Sequence, residues 1–254
     1  MVWYSNWSYQ PTSMRIQSFE TISRSPTLVE QVCQKLAVML RSEQGRADAT
    51  LPAERELAAK LGVGRNVVRE ATKRLELQGM LEIRQGQGTR VVNCLHRPLT
   101  ASLSLLMPKE KDRMRQLFEV RLMIEPQNAR LAALRVTKTQ LKRIEEAQAR
   151  LLAATSLEDA VAADMDFHRE IARASDNQIA HLLLESLAEL LAQSHRSGFL
   201  RQGDETTAAE HEKVLKALRA GDGKGAFSAM QTHLLKAAKR LRLAMPEVND
   251  RSNL

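Results

Sequence analysis

The chain has 254 residues, 43% of them hydrophobic, 27% charged and 4% aromatic, enough apolar material for one large or two smaller folded units with a helical bias. Its formal net charge of +8 suits a polyanionic partner such as double-stranded DNA, although the excess is spread along the chain. Two cysteines without CxxC spacing exclude a disulfide scaffold, and no run of about 18 apolar residues marks a membrane span, so the chain reads as cytoplasmic with no membrane partner.

Residues 1–24 contain both Trp and both Tyr; they lack the apolar core of a signal peptide and read as a disordered extension, with Met14 as an alternative start. Residues 25–95 read as a winged helix-turn-helix. Thr27 caps a first helix, LVEQVCQKLAVMLRS, apolar at Leu28, Val32, Leu36 and Leu40, with Cys33 as a small core residue. LPAERELAAKLGV starts a second helix with Pro52 at its entry, and Gly62 ends it. GRNVVREATKRLELQG forms a third, with Val68, Ala71 and Leu75 inward and Gly79 closing it. MLEIR and TRVVN then alternate apolar and polar residues around QGQG, as two strands joined by a glycine turn do.

NCLHRPLT, centred on Pro98, reads as a linker, after which strand signals vanish. The periodicity predicts helices over 99–107, 110–134, 138–154, 157–174, 178–200, 207–220 and 224–244. Thr137, Ser156, Thr206 or Thr207, and Asp222 stand where N-caps belong, Asn177 where it caps the following helix, and Pro126 should kink the second of these helices. The fold class is therefore mainly α: an N-terminal winged helix-turn-helix plus an all-helical antiparallel bundle over 96–254, the latter read as the effector-binding and dimerisation domain.

In a helix-turn-helix the second helix enters the major groove with its first residues at the base edges. Those residues are Gly64, Arg65, Asn66 and Val67, with Arg69 one turn on. Arg reads guanine and Asn reads adenine. Arg55 reaches a base or a phosphate from the preceding helix; Gln85, Gln87 and Arg90 on the wing suit backbone or minor-groove contact, where Gly86 and Gly88 let main chain approach. Singly, each of these charges is as well explained as helix-surface solvation. Together, LPAERELAAKLGVGRNVVREATKRLELQGMLEIRQGQGTRV closely resembles the DNA-binding domain of GntR-type bacterial regulators. The resemblance implies a homodimer on a short palindromic operator built around GT and AC steps. Gly64 departs from it, since a small hydroxyl residue usually precedes the recognition Arg.

Asp164 and His168 in ADMDFHREI lie four positions apart, on one helix face. Alone, the pair is as well read as a surface ion pair. His211 in EHEKVL and His233 in MQTHLL share the inward position, judged by their apolar neighbours three and four residues away. Three inward His and one inward carboxylate burden an apolar core unless they are paired, neutralised or bound to a metal, and such an N3O set with open positions suits Zn, Ni, Mn or Fe. Residues 99–244 resemble the helical effector domain of the FadR subfamily, in its metal-binding branch, through FEVRLMIEPQNARLAA, DFHREIARASDN, EHEKVLKAL and GDGKGAFSAMQTHL. The resemblance implies Asp164, His168, His211 and His233 as ligands of a divalent metal ion and a small organic-acid or sugar-acid effector; fatty acyl-CoA is disfavoured. Arg121 shares an inward stripe and either clamps the effector carboxylate or pairs with Glu125, four residues on; His195 lines the pocket or packs in the core. The expected function is a sequence-specific DNA-binding transcriptional regulator, a repressor controlled by that effector. The rival reading is a metal-dependent hydrolase carrying a DNA-binding domain, for which no separate base or nucleophile is visible, so a non-enzyme is expected.

Overall fold

A computed structural model describes residues 25–41, 49–106, 110–195 and 204–245; the expected disordered extension over 1–24 lies outside them. The first helix, α1 (Leu28–Arg41), starts at a reciprocal cap: the Glu30 amide donates to the Thr27 hydroxyl at 3.2 Å, and the Thr27 amide donates to the Glu30 carboxylate at 2.7 Å. Helices α2 (Glu54–Leu61) and α3 (Arg65–Leu77) follow, joined by Gly62 in the left-handed conformation (φ 66°). Pro52 stands at the entry of α2, immediately before the N-cap residue Ala53. Val32, Leu36, Leu40, Leu57, Val68, Ala71 and Leu75 close one core with Leu81 and Val91 of the wing.

The wing pairs β1 (Leu81–Arg84) antiparallel to β2 (Gly88–Val91), each shorter than its predicted run. On its far side the Leu51 amide donates to the Thr89 carbonyl and the Val91 amide to the Ala49 carbonyl, both at 2.8 Å, so residues 49–51 flank β2.

The second part comprises α4 (His96–Leu106), α5 (Glu110–Arg135), α6 (Lys138–Ala153), α7 (Leu157–Ala174), α8 (Gln178–His195), α9 (Asp204–Arg219) and α10 (Gly223–Arg240). Much of the expected linker is helix: Pro98 sits in the first turn of α4, where its missing N–H would have no intrahelical partner anyway. Pro126 does not interrupt α5, because Met114, Leu117 and Phe118 before it and Ala129, Ala132 and Ala133 after it are each anchored in buried clusters. Thr137, Ser156 and Asp222 cap α6, α7 and α10 as expected, and the Asn177 carboxamide accepts the Ala180 amide at 3.1 Å. Thr206 and Thr207 cap nothing, since α9 already includes Asp204. The bundle holds two main apolar clusters, one around Phe167, Ile171, Leu215 and Met230, the other around Met114, Leu117, Leu187 and Leu191. Among the described residues, no helix is long and apolar enough to cross a membrane.

Candidate functional site

Between those clusters, along α5, α7 and α10, the apolar sequence is broken by ionisable residues. Asp164 and His168 come from α7, His211 from α9 and His233 from α10, and one ligand-type atom from each lies within 4.8 Å of the others. The three imidazoles are buried and Asp164 is partly exposed. Phe167 stacks flat on His211, with ring centroids 3.8 Å apart, which seals one side of the group.

What decides the chemistry is the far side of each ring. His211 Nδ1 lies 3.1 Å from Gln148 Oε1 on α6, and His233 Nδ1 lies 3.0 Å from Glu210 Oε2 on α9. His168 Nδ1 is 2.6 Å from Glu125 Oε2 on α5, close but poorly aligned for a hydrogen bond. The Gln148 carboxamide has one orientation only, because its amide nitrogen donates to the Ala208 carbonyl at 2.8 Å. All three partners at Nδ1 are acceptors, which assigns the ring proton to Nδ1 and leaves a lone pair at each Nε2.

Those lone pairs converge. His168 Nε2 and His233 Nε2 stand 3.3 Å apart, His211 Nε2 is 3.4 Å from Asp164 Oδ1, and His168 Nε2 is 4.0 Å from Asp164 Oδ2. His211 Nε2 is buried with no hydrogen-bond partner. Facing acceptors repel unless a cation lies between them, so the donor set fits a metal ion. Burial, together with the neighbouring imidazoles, holds His211 well below the usual histidine range, and burial likewise lowers His233, so both are neutral and able to donate. Burial would push the Glu125 carboxyl up, but Arg121 and His168 outweigh it and hold it at about 2; Glu210 is likewise held at about 2, against burial, by His233 and Arg240.

Arg121 is buried and pairs with Glu125: Nε approaches Oε1, and Nη2 lies 3.4 Å from Oε2. Its guanidinium also sits 5.2 Å from the centre of the Phe118 ring. Of the two expectations for this residue, the pairing with Glu125 is present. The side chain of His195, the last residue of α8, lies outside the described residues. Gln148 and Glu210 were not anticipated, since each meets its histidine from another helix and no local pattern reports that.

In the other domain, α3 starts at Gly64, which offers no side-chain cap. Arg65 and Asn66 are exposed at its first turn, Val67 is half-buried against the core, and Arg69 donates to the Asn66 carboxamide at 2.8 Å. Arg55 is exposed in the first turn of α2. Gln85 and Gly86 (φ 75°) form the exposed wing tip with Gln87, while Arg90 is half-buried opposite Glu82.

Comparison with known proteins accounts for both parts. Residues 28–91 match the model of the bacterial regulatory proteins of the gntR family, and residues 116–236 match that of the FCD domain. The HTH-type transcriptional regulator LutR of Bacillus subtilis is 33% identical over 210 residues, 77% of this chain and 93% of its own. A putative L-lactate dehydrogenase operon regulatory protein of Escherichia coli is 32% identical over 219 residues, 82% of this chain and 83% of its own. A solved GntR structure from Streptococcus agalactiae superposes with a TM-score of 0.67 at 30% identity, covering 83% of this chain and 99% of that one.

Proposed function

The chain belongs to the GntR family of bacterial regulatory proteins, as a DNA-binding transcriptional regulator with an FCD domain, and from that premise we propose that its helical domain is a metal-centred sensor of a small carboxylate. Asp164, His168, His211 and His233 hold one divalent ion, of Zn, Ni, Mn or Fe. The observation that carries this is the convergence of three Nε2 lone pairs on one carboxylate, with an acceptor behind each ring at Nδ1, hydrogen-bonded to His211 and His233 and close to His168. Such an ion supplies an electrophilic centre with open positions for anionic oxygens.

The name of the E. coli relative, regulator of an L-lactate dehydrogenase operon, favours a small hydroxy acid, whose carboxylate and adjacent hydroxyl offer two oxygens to one centre. Glu125 engages the Nε and Nη2 edge of Arg121; Arg121 therefore meets the effector with its remaining N–H donors, on Nη1 and the other side of Nη2. The protein acts in the cytoplasm as a homodimeric repressor on a palindromic operator, read by Arg65 and Asn66 with Arg55, Gly64, Val67 and Arg69, and by the wing through Gln85, Gly86 and Arg90. Effector binding changes operator affinity by favouring one arrangement of the two DNA-binding domains. A hydrolase is disfavoured, because Glu125 and Glu210, the carboxylates beside the ligands, are each tied to an arginine and a ring nitrogen and are not free to activate water.

The test is operator-DNA anisotropy with metal-loaded protein against a library of hydroxy, keto and sugar acids. One acid should shift operator affinity and be recovered unchanged, and the double variant His211→Ala, His233→Ala should lose both the response and the roughly one ion per chain. Wild-type metal content in the double variant refutes the ligand assignment; consumption of the acid refutes the sensor.

A further inference from the structure

The three imidazoles are held unequally. Gln148 behind His211 is neutral, and its other end is committed to a main-chain carbonyl. Glu125 behind His168 has Arg121, and that pair is sealed in the bundle, the two side chains 5% and 2% exposed. Behind His233 the arrangement differs. Glu210 projects from α9 and is gripped wholly from α10: His233 Nδ1 at 3.0 Å on Oε2, Arg240 at 3.0 to 3.2 Å on both oxygens, and Lys236 Nζ at 3.7 Å on Oε1. His233, Lys236 and Arg240 are spaced three and four apart, one face of the last two turns of α10. Arg240 is 27% exposed, so this chain of contacts runs from the ligand ring to the protein surface.

Resting on the metal-site reading above, we infer that Glu210 and Arg240 are the positioning pair of the metal centre, through which the C-terminal end of α10 sets how strongly His233 binds the ion. A carboxylate receiving Nδ1–H fixes the ring's tautomer and direction, and strengthens Nε2 as a donor. That effect requires Glu210 to be ionised and in one rotamer. A buried carboxylate stays ionised only with a partner, and the two-pronged guanidinium supplies both charge and direction. The ordinary alternative is a structural tie between α9 and α10 with no influence on the ion.

Full-length protein stripped of metal is titrated with Co²⁺ alone, read by its visible d–d absorption and by competition with a chelating dye. Glu210→Gln should weaken Co²⁺ binding about 10- to 100-fold and shift the absorption band. Arg240→Met should weaken it less, and Arg240→Lys, which keeps the charge, should retain more affinity than Arg240→Met. Thermal unfolding of the metal-free variants reports the structural tie separately. Wild-type Co²⁺ affinity and an unchanged spectrum in both Glu210→Gln and Arg240→Met overturn the positioning role and leave the metal site standing. If Glu210→Gln fails to fold, the half-exposed Arg240 variants decide alone. Absence of Co²⁺ uptake by the wild type overturns the metal reading, and this inference with it.

Discussion

Replacing Gln148 by Leu tests whether the ring orientations of the site are built into the fold. Gln148 is 6% exposed and serves two buried groups at once, accepting from His211 Nδ1 and donating to the Ala208 carbonyl. Leucine of similar length leaves the His211 Nδ1–H without an acceptor, whereas the Ala208 carbonyl, inside α9, keeps its helical amide partner. One buried orphan costs about 1–3 kcal/mol, and the added apolar burial offsets the lost bond to Ala208, for a net loss of about 1–3 kcal/mol. For a folded unit of about 150–250 residues this lowers the thermal midpoint by about 2–12 °C. The measurement is helical circular dichroism in chelator, so that no ion restores the loss. A parallel Lys142→Ala, removing an exposed 3.8 Å pair with Glu146, should change stability by less than about 0.5 kcal/mol. A midpoint for Gln148→Leu equal to that of Lys142→Ala would refute the argument, because His211 would then not depend on its acceptor for orientation.

Arg65→Ala should cost about 1–3 kcal/mol on a specific operator and relax base preference; equal losses on specific and scrambled DNA in an anisotropy titration would remove Arg65 from the base-reading set. In metal-free protein, His211 and His233 resist protonation when folded but not when unfolded. The unfolded chain therefore takes up more protons below about pH 6.5, and stability should fall as pH drops from 7.5 to 5.5, with a second loss below about pH 4.5 as Glu125 and Glu210 protonate. A thermal midpoint that rises on acidification from 7.5 to 5.5 contradicts this. Gly79→Ala should destabilise the DNA-binding domain by more than about 1–3 kcal/mol: Gly79 has φ 75°, and an added Cβ would lie 2.1 Å from the Cys94 carbonyl oxygen. Wild-type unfolding of that variant would show that the strand end can shift without loss.

What could be read from sequence was whatever its neighbours in sequence decide. Thr27, Thr137, Ser156 and Asp222 cap helices because a side-chain oxygen meets an amide three residues on. The inward direction of His168, His211 and His233 was legible for the same reason, from apolar residues one turn away. Gln148 and Glu210 were not, since their partners stand 63 and 23 residues distant on other helices. Glu210 even precedes His211 directly, yet it serves His233. Pro98 misled the reading of a boundary, because it falls in a first turn with no hydrogen bond to lose, whereas the helix read through Pro126 over 110–134 matches α5. The strand-like contact of residues 49–51 with β2 depends on a pairing some forty residues apart, which alternation alone does not report.

That contact fixes the wing's register. β2 is hydrogen-bonded along both edges, to β1 on one side and to Ala49 and Leu51 on the other. A slip of one residue would break both sets of bonds and turn the buried Leu81 and Val91 outward. The tip at Gln85–Gln87 is therefore a rigid ruler, not a loose flap. Its offset from the exposed start of α3 is set before DNA arrives, so, on the proposed DNA-reading roles of α3 and the tip, the spacing between their two contacts is a constant of the fold. Operators with an inserted base pair between those two contacts should lose one of them outright, without the intermediate affinities that a flexible arm would allow.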